Sequence, residues 1–300
     1  MADIIGTNGN DRLFGGSGDD TIDGLAGDDY IVGNDGNDEI NGGSGNDTVW
    51  AGPDDTGDDI VSGGAGDDLI GAGAGSDQVS GEAGSDTIYG GSGDDQLYAT
   101  SNATPAYGTA TDDASGDVIW AGTGTDGVYG SAGADVLGGG DGDDFIRGYW
   151  GDDVVYGGAG LDDIDGGAGN DLIFGGTGDD AIVGGDGSDT IWGGAGDDVL
   201  TGDGGTTAYA DVFGFIPGSN SDGGSDVITD FNIASADGVD DVLDLSGYGL
   251  DGATIGNTIG EMIDNGFITG TGIDIDLDGS DDIALTGITT SDLTLDNFIL

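Results

Sequence analysis

The chain has 300 residues, of which 71 are Gly, and it carries 61 acidic residues against two Arg, no Lys, no His and no Cys, for a formal net charge of −59. That balance excludes nucleic acid and anionic membranes as partners, and the missing Cys and His exclude disulfides, thiolate nucleophiles, zinc-thiolate centres and the common catalytic triads. Only Glu39, Glu82 and Glu261 among the acids are Glu; the bias to Asp points to carboxylates held close to the backbone in turns, and a solvating acidity of the halophile kind would spread over both residue types with no fixed phase.

From the N-terminus onward the sequence is periodic. MADIIGTNGN has neither the basic region nor the apolar core of a secretory signal peptide, and no apolar run approaches the ~20 residues of a membrane helix. A unit G-G-x-G-x-D-x-U-x, with U aliphatic, begins within the first ten residues. In a first block, residues 6–50, its Asp recurs at Asp11, Asp20, Asp29, Asp38 and Asp47. A short insertion resets the phase, and a second block, 51–98, carries Asp59, Asp68, Asp77, Asp86 and Asp95. A longer insertion, 99–111, contains Pro105. The third block, 112–201, runs unbroken through Asp117, Asp126, Asp135, Asp144, Asp153, Asp162, Asp171, Asp180, Asp189 and Asp198. An aliphatic residue follows each of these twenty Asp by two positions, and Gly precedes each by two except at Ser115. The leading glycines are replaced at the insertions by Asp54, Asp55, Asp112 and Asp113.

Each column has a physical reason. Six residues form a turn in which glycines admit positive φ and let the backbone approach a cation. Carbonyls and the Asp carboxylate supply the oxygen shell that Ca²⁺ prefers. Three residues form a short strand whose aliphatic residue points inward while its neighbours point outward. Two nonamers make one coil, so turn n stacks on turn n + 2, and a calcium ion bridging them takes the repeat Asp as its charged ligand. The spacing predicts about 14 ions, or about 18 if the blocks stack without a break. One aliphatic per nine residues is a thin core against the ordering entropy of so much Gly, so the metal-free chain is expected to be disordered, with calcium binding equal to folding.

After Thr201 the period breaks, and residues 202–300 read as a second region. Strands are expected over Ala210–Ile216, Asp226–Phe231 and Asp241–Leu245, a short helix from Asn257 to about Asn265, and a hairpin of Ile273–Leu277 with Ile283–Thr286. Asp274, Asp276, Asp278 and Gly279 resemble the start of an EF-hand loop, but Leu285 stands at its twelfth position, so an acidic hairpin turn is the preferred reading.

The twenty nonamers resemble the RTX family, the hemolysin-type calcium-binding repeats. The resemblance implies an all-β fold, a right-handed parallel β-roll over 1–201 followed by a small β-rich C-terminal region, with the calcium-ligand role at the twenty Asp named above. ADVFGF, GSDVITDFN, DDVLDLSGYG and the ending SDLTLDNFIL resemble the C-terminal target region of type I secreted members. This implies uncleaved export by the type I machinery of a Gram-negative cell into extracellular calcium, or a cap on the open roll end.

Family activities commonly lie in a domain ahead of the repeats; here the repeats begin at once, and no enzyme is expected. In the third block the outward residues of one face, including Trp120, Tyr156, Phe174 and Trp192, form an apolar ladder that needs a partner. Packing of the C-terminal region on it, self-association into a layer or matrix, and polysaccharide binding are the three readings. The expected function is a secreted calcium-folded structural, cell-surface or matrix component, with an adhesin or polysaccharide-binding module as the alternative.

Overall fold

A nonamer with one apolar side chain can bury it only against the equivalent residue of a neighbouring coil. The computed structural model shows this arrangement, and it describes residues 1–52, 56–100, 114–204, 209–215, 224–232, 240–246, 272–276, 282–286 and 297–299. It comprises two compact units, Met1–Val155 and Tyr156–Leu300. Each is a parallel β-solenoid, and no α-helix occurs among the described residues.

In Met1–Val155 successive strands alternate between two sheets. The first sheet takes Asp3–Ile5, Thr21–Asp23, Glu39–Ser44, Ile60–Ala65, Gln78–Ala83, Gln96–Tyr98, Gly127–Tyr129 and Phe145–Trp150 in that order. The second takes Arg12–Phe14, Tyr30–Val32, Thr48–Gly52, Leu69–Ala74, Thr87–Ser92, Val118–Thr123 and Val136–Asp141. Pairing is parallel with aliphatic opposite aliphatic, as in Ile70↔Ile88 and Ile88↔Ile119. These side chains form the core: Ile31, Val49, Ile70, Ile88, Ile119 and Ile146 are fully buried. Both insertions leave the stack in register. Ile40 pairs with Val61 across the first and Leu97 with Val128 across the second.

The strands are longer than the three residues expected. Leu69–Ala74 and Thr87–Ser92 continue into the leading residues of the next repeat, where Gly73 pairs with Gly91. Equivalent glycines face each other from coil to coil there, and without Cβ atoms the backbones pack in contact.

In Tyr156–Leu300 one sheet takes Asp163–Ala168, Ala181–Asp186, Val199–Asp203, Ser225–Ile228 and Asp282–Thr286. The other takes Leu172–Thr177, Thr190–Ala195, Val212–Gly214, Val242–Asp244 and Phe298–Ile299. Loss of the nine-residue period after Thr201 therefore does not end the stack. Phe213 pairs with Ile191 and Leu243, Ile228 with Leu200 and Leu285, and Phe298 with Leu243. Phe213, Ile228, Leu243 and Leu285 are fully buried, as the repeat aliphatics are. The expected hairpin is present as Gly272–Asp276 antiparallel to Asp282–Thr286. Asp278, Gly279 and the helix expected from Asn257 lie outside the described residues. Among those described, no helix is long and apolar enough to cross a membrane.

Candidate metal sites

The Asp of each repeat stands where the turn meets the strand, so stacking of coils stacks these residues. All twenty enter side-chain-to-backbone ladders. Along one edge of Met1–Val155 the N–H of Asp20 donates to Oδ1 of Asp38, and the link repeats from Asp38 to Asp59, Asp77, Asp95, Asp126 and Asp144 at 2.7–2.9 Å. Along the other edge it runs from Asp11 through Asp29, Asp47, Asp68, Asp86, Asp117 and Asp135 to Asp153 at 2.7–2.8 Å. In Tyr156–Leu300 one ladder joins Asp162, Asp180, Asp198 and Asp226, and the other Asp171, Asp189, Asp211 and Asp241, at 2.8–3.0 Å. Asp59 and Asp117, which follow the insertions, sit in the ladder like the rest. Asp54, Asp55, Asp112 and Asp113 lie outside the described residues.

Three ladder members, Asp211, Asp226 and Asp241, were not among the expected ligands. Their signal is the triplet Asp-x-aliphatic or Asp-x-aromatic, in DVF, DVI and DVL. It survives where the glycine prefix and the spacing of nine do not.

A second, outer ladder explains by contrast what the inner one is for. In several coils the residue before the ladder Asp also accepts from a neighbouring coil, in the opposite direction: Asn46 N–H donates to Asp28, Asp67 N–H to Asn46, and Ser85 N–H to Asp67, at 3.0–3.1 Å. Asp and Asn serve equally there, so the outer rung needs only an acceptor oxygen. The inner rung is Asp in all twenty repeats, although an Asn oxygen would receive the same N–H. Its charge has another use.

That charge is buried. Asp95 and Asp198 are 0% exposed. Oδ1 is satisfied by the ladder, but Oδ2 of Asp29, Asp47, Asp68, Asp95, Asp126, Asp180, Asp189 and Asp198 has no hydrogen-bond donor. At Asp68 this oxygen faces the space that a Cβ on Gly63 would fill, with the Gly81 carbonyl on the same space. A buried carboxylate oxygen without a donor or counter-charge is costly. The chain has few cations to offer, two Arg against 61 acidic residues, and the N-terminal ammonium lies 3.5 Å from Asp20. Burial, reinforced by the neighbouring ladder carboxylates, pushes Asp47 up to about 6, Asp68, Asp95 and Asp180 to about 7, and Asp189 and Asp198 to about 8. The backbone N–H bonds oppose the rise without cancelling it.

No three acidic side chains converge on one point among the described residues. A cation held here would draw on the carboxylates of the stacked turns and on backbone carbonyls such as that of Gly81, which shares its space with Asp68 Oδ2. Such an all-oxygen shell suits Ca²⁺, a hard ion of six to eight ligands, better than a metal that seeks nitrogen or sulfur.

Comparison with known proteins agrees with this chemistry. The family model described as RTX calcium-binding nonapeptide repeat matches residues 5–40, 23–56, 32–70, 54–79, 71–102, 109–137, 129–164, 138–173, 147–182, 156–190 and 174–207. No curated protein matches the chain. Among solved structures, the extracellular lipase LipA from Serratia marcescens is 14% identical, with a TM-score of 0.16, over 99% of this chain. The chain spans 40% of that lipase.

Proposed function

Because the chain belongs to the RTX calcium-binding nonapeptide repeat family, we propose that it is a secreted protein that folds on export into millimolar calcium and serves as a structural component of a cell surface or extracellular matrix. The observation that carries the first half is the buried, donor-free Asp oxygen repeated from coil to coil. Scarce calcium inside a cell leaves the chain unfolded and fit for threading; abundant calcium outside folds it. The unbroken register across both insertions favours the higher ion count, about 18, with the twenty repeat Asp as ligands. The likeness of the C-terminal segments to type I target regions supports export by that machinery from a Gram-negative cell. The composition supports a non-catalytic role, since carboxylate pairs are its main chemical resource and recur in every coil.

The structural role rests on an aromatic outer column. In the second sheet of Met1–Val155 the outward column reads Phe14, Val32, Trp50, Gly71, Tyr89, Trp120 and Gly138. The equivalent column of the first sheet begins with polar Asp23, Asn41, Ser62 and Ser80 and then carries the stacked rings of Tyr98 and Tyr129. In Tyr156–Leu300 the rings of Tyr156, Phe174 and Trp192 stack at 5.2 and 5.0 Å between centroids. Phe14, Tyr89, Trp120 and Tyr156 remain 39–51% exposed. Exposed aromatic side chains on a roll whose charge calcium partly offsets favour association of copies into a layer. Light scattering of the calcium-loaded chain is the test. Large assemblies that dissolve on Trp120→Ser with Trp192→Ser are expected, and a monomer that both substitutions leave unaltered removes the role.

One observation favours a polysaccharide-binding module as the second reading. Trp50, Trp120 and Trp192 each lie over a glycine of the next coil, Gly71, Gly138 and Gly214. Rings laid along the sheet in this way can present a face to a sugar. A lasting monomer that binds glycans would move the assignment there.

A further inference from the structure

We propose a calcium site beyond the nonapeptide repeats, centred on Asp211 where its carboxylate faces Gly202. It rests on the reading that the stacked Asp turns bind calcium, and extends it to an Asp outside the match to the family model, which ends at residue 207.

By sequence this stretch is not a repeat. Asp203 stands where the second glycine belongs, and four extra residues separate Asp211 from Asp198 relative to the unit of nine. The contacts of Asp211 are nevertheless those of a repeat Asp. Asp211 Oδ1 accepts the Asp189 N–H at 2.9 Å, and the Asp211 N–H donates to Asp241 Oδ1 at 3.0 Å. The residue is 0% exposed. Its Oδ2 has no hydrogen-bond donor, the condition of Asp189 and Asp198 in the repeats proper. That oxygen faces Gly202, where a Cβ would collide with it.

The surroundings are more acidic than in a repeat. Asp230 is held in place by both oxygens, which accept the N–H groups of Gly202 at 2.9 Å and Asp203 at 2.8 Å. Asp203 in turn accepts the Tyr209 N–H at 3.0 Å. Asp203 and Asp230 both raise the electrostatic cost of the Asp211 charge. Their side chains do not gather with Asp211 round one point, so they act as fixed neighbouring charges and Asp211 as the carboxylate ligand. With no His or Cys in the chain, the ion is a hard divalent cation held by oxygen.

Crystals of the full chain grown in calcium and exchanged into terbium test this by anomalous scattering. The expected result is a peak about 2.3–2.6 Å from Asp211 Oδ2, as strong as those beside Asp189 and Asp198. Peaks at the repeat Asp with none at Asp211 would overturn the proposal while leaving the repeat reading intact. An absence of peaks at every ladder Asp would overturn both.

Discussion

Removing calcium at about pH 8 is expected to abolish the β-structure of both units, and acidifying the calcium-free chain to about pH 5 is expected to restore part of it. The reason is the ladder. Without metal, ionised carboxylates lie buried one coil apart, and the chain carries only two Arg and no Lys against its 61 acidic residues. The core of one aliphatic per nonamer is too thin to outweigh this together with the ordering of 71 Gly. The direction with pH follows from the pKa values. Asp47, Asp68, Asp95, Asp180, Asp189 and Asp198 are raised from 3.8 to between about 6 and about 8 in the metal-free fold. Between these limits the folded chain holds protons that the unfolded chain has released. Its stability is therefore greatest below about pH 4 and declines as pH rises through 6 to 8. Calcium replaces those protons in the fold, and the unfolded chain has already released its own above about pH 5, so the calcium concentration at the folding midpoint should not rise as pH falls from about 8 to about 6. Far-UV circular dichroism in chelator across this range checks the dependence on pH. A calcium-free chain that is β-rich at about pH 8, or that loses structure on acidification, contradicts the account.

Gly142→Ala is expected to cost about 3–4 kcal/mol and to break cooperative folding between the coils it joins. Gly142 has φ +132°, which an L side chain adopts only with strain, and its Cβ would strike the Gly124 carbonyl of the coil below. The obstacle is backbone, not the far end of a flexible side chain, so relief requires the two turns to part. Parting them also separates the stacked carboxylates Asp126 and Asp144. Gly9→Ala is the control: a Cβ there meets nothing within 4 Å, and a change within about 0.5 kcal/mol is expected. Calcium midpoints and thermal melts of the two variants should differ widely; equal behaviour would mean that contact between turns is not what holds the coils.

The register of the repeat, its inward aliphatic and the twenty ladder Asp were legible because each is a strict column at period nine. Continuity of the stack across the insertions was only partly legible. A solenoid fixes partners by coil, not by residue count, and extra residues can loop out at a turn while Leu97 still meets Val128. The same physics hid Asp211, Asp226 and Asp241, whose partners are set by stacking although the count between them varies. The outer Asp/Asn rung was overlooked because its column is chemically mixed: Asp28, Asn46, Asp67 and Ser85 follow one another there. The aromatic column was read only in the third block. Phe14, Trp50 and Tyr89 extend it in the earlier blocks, but seeing this requires the register that carries one sheet past each insertion.

The central claim is that calcium on stacked Asp turns is what folds the chain. Bound calcium and far-UV ellipticity measured on the same samples through one titration test it most directly. The account predicts that about 18 or more ions enter in the same cooperative transition that forms the β-structure. β-structure complete before the ions bind, or saturation at one or two ions, would contradict it.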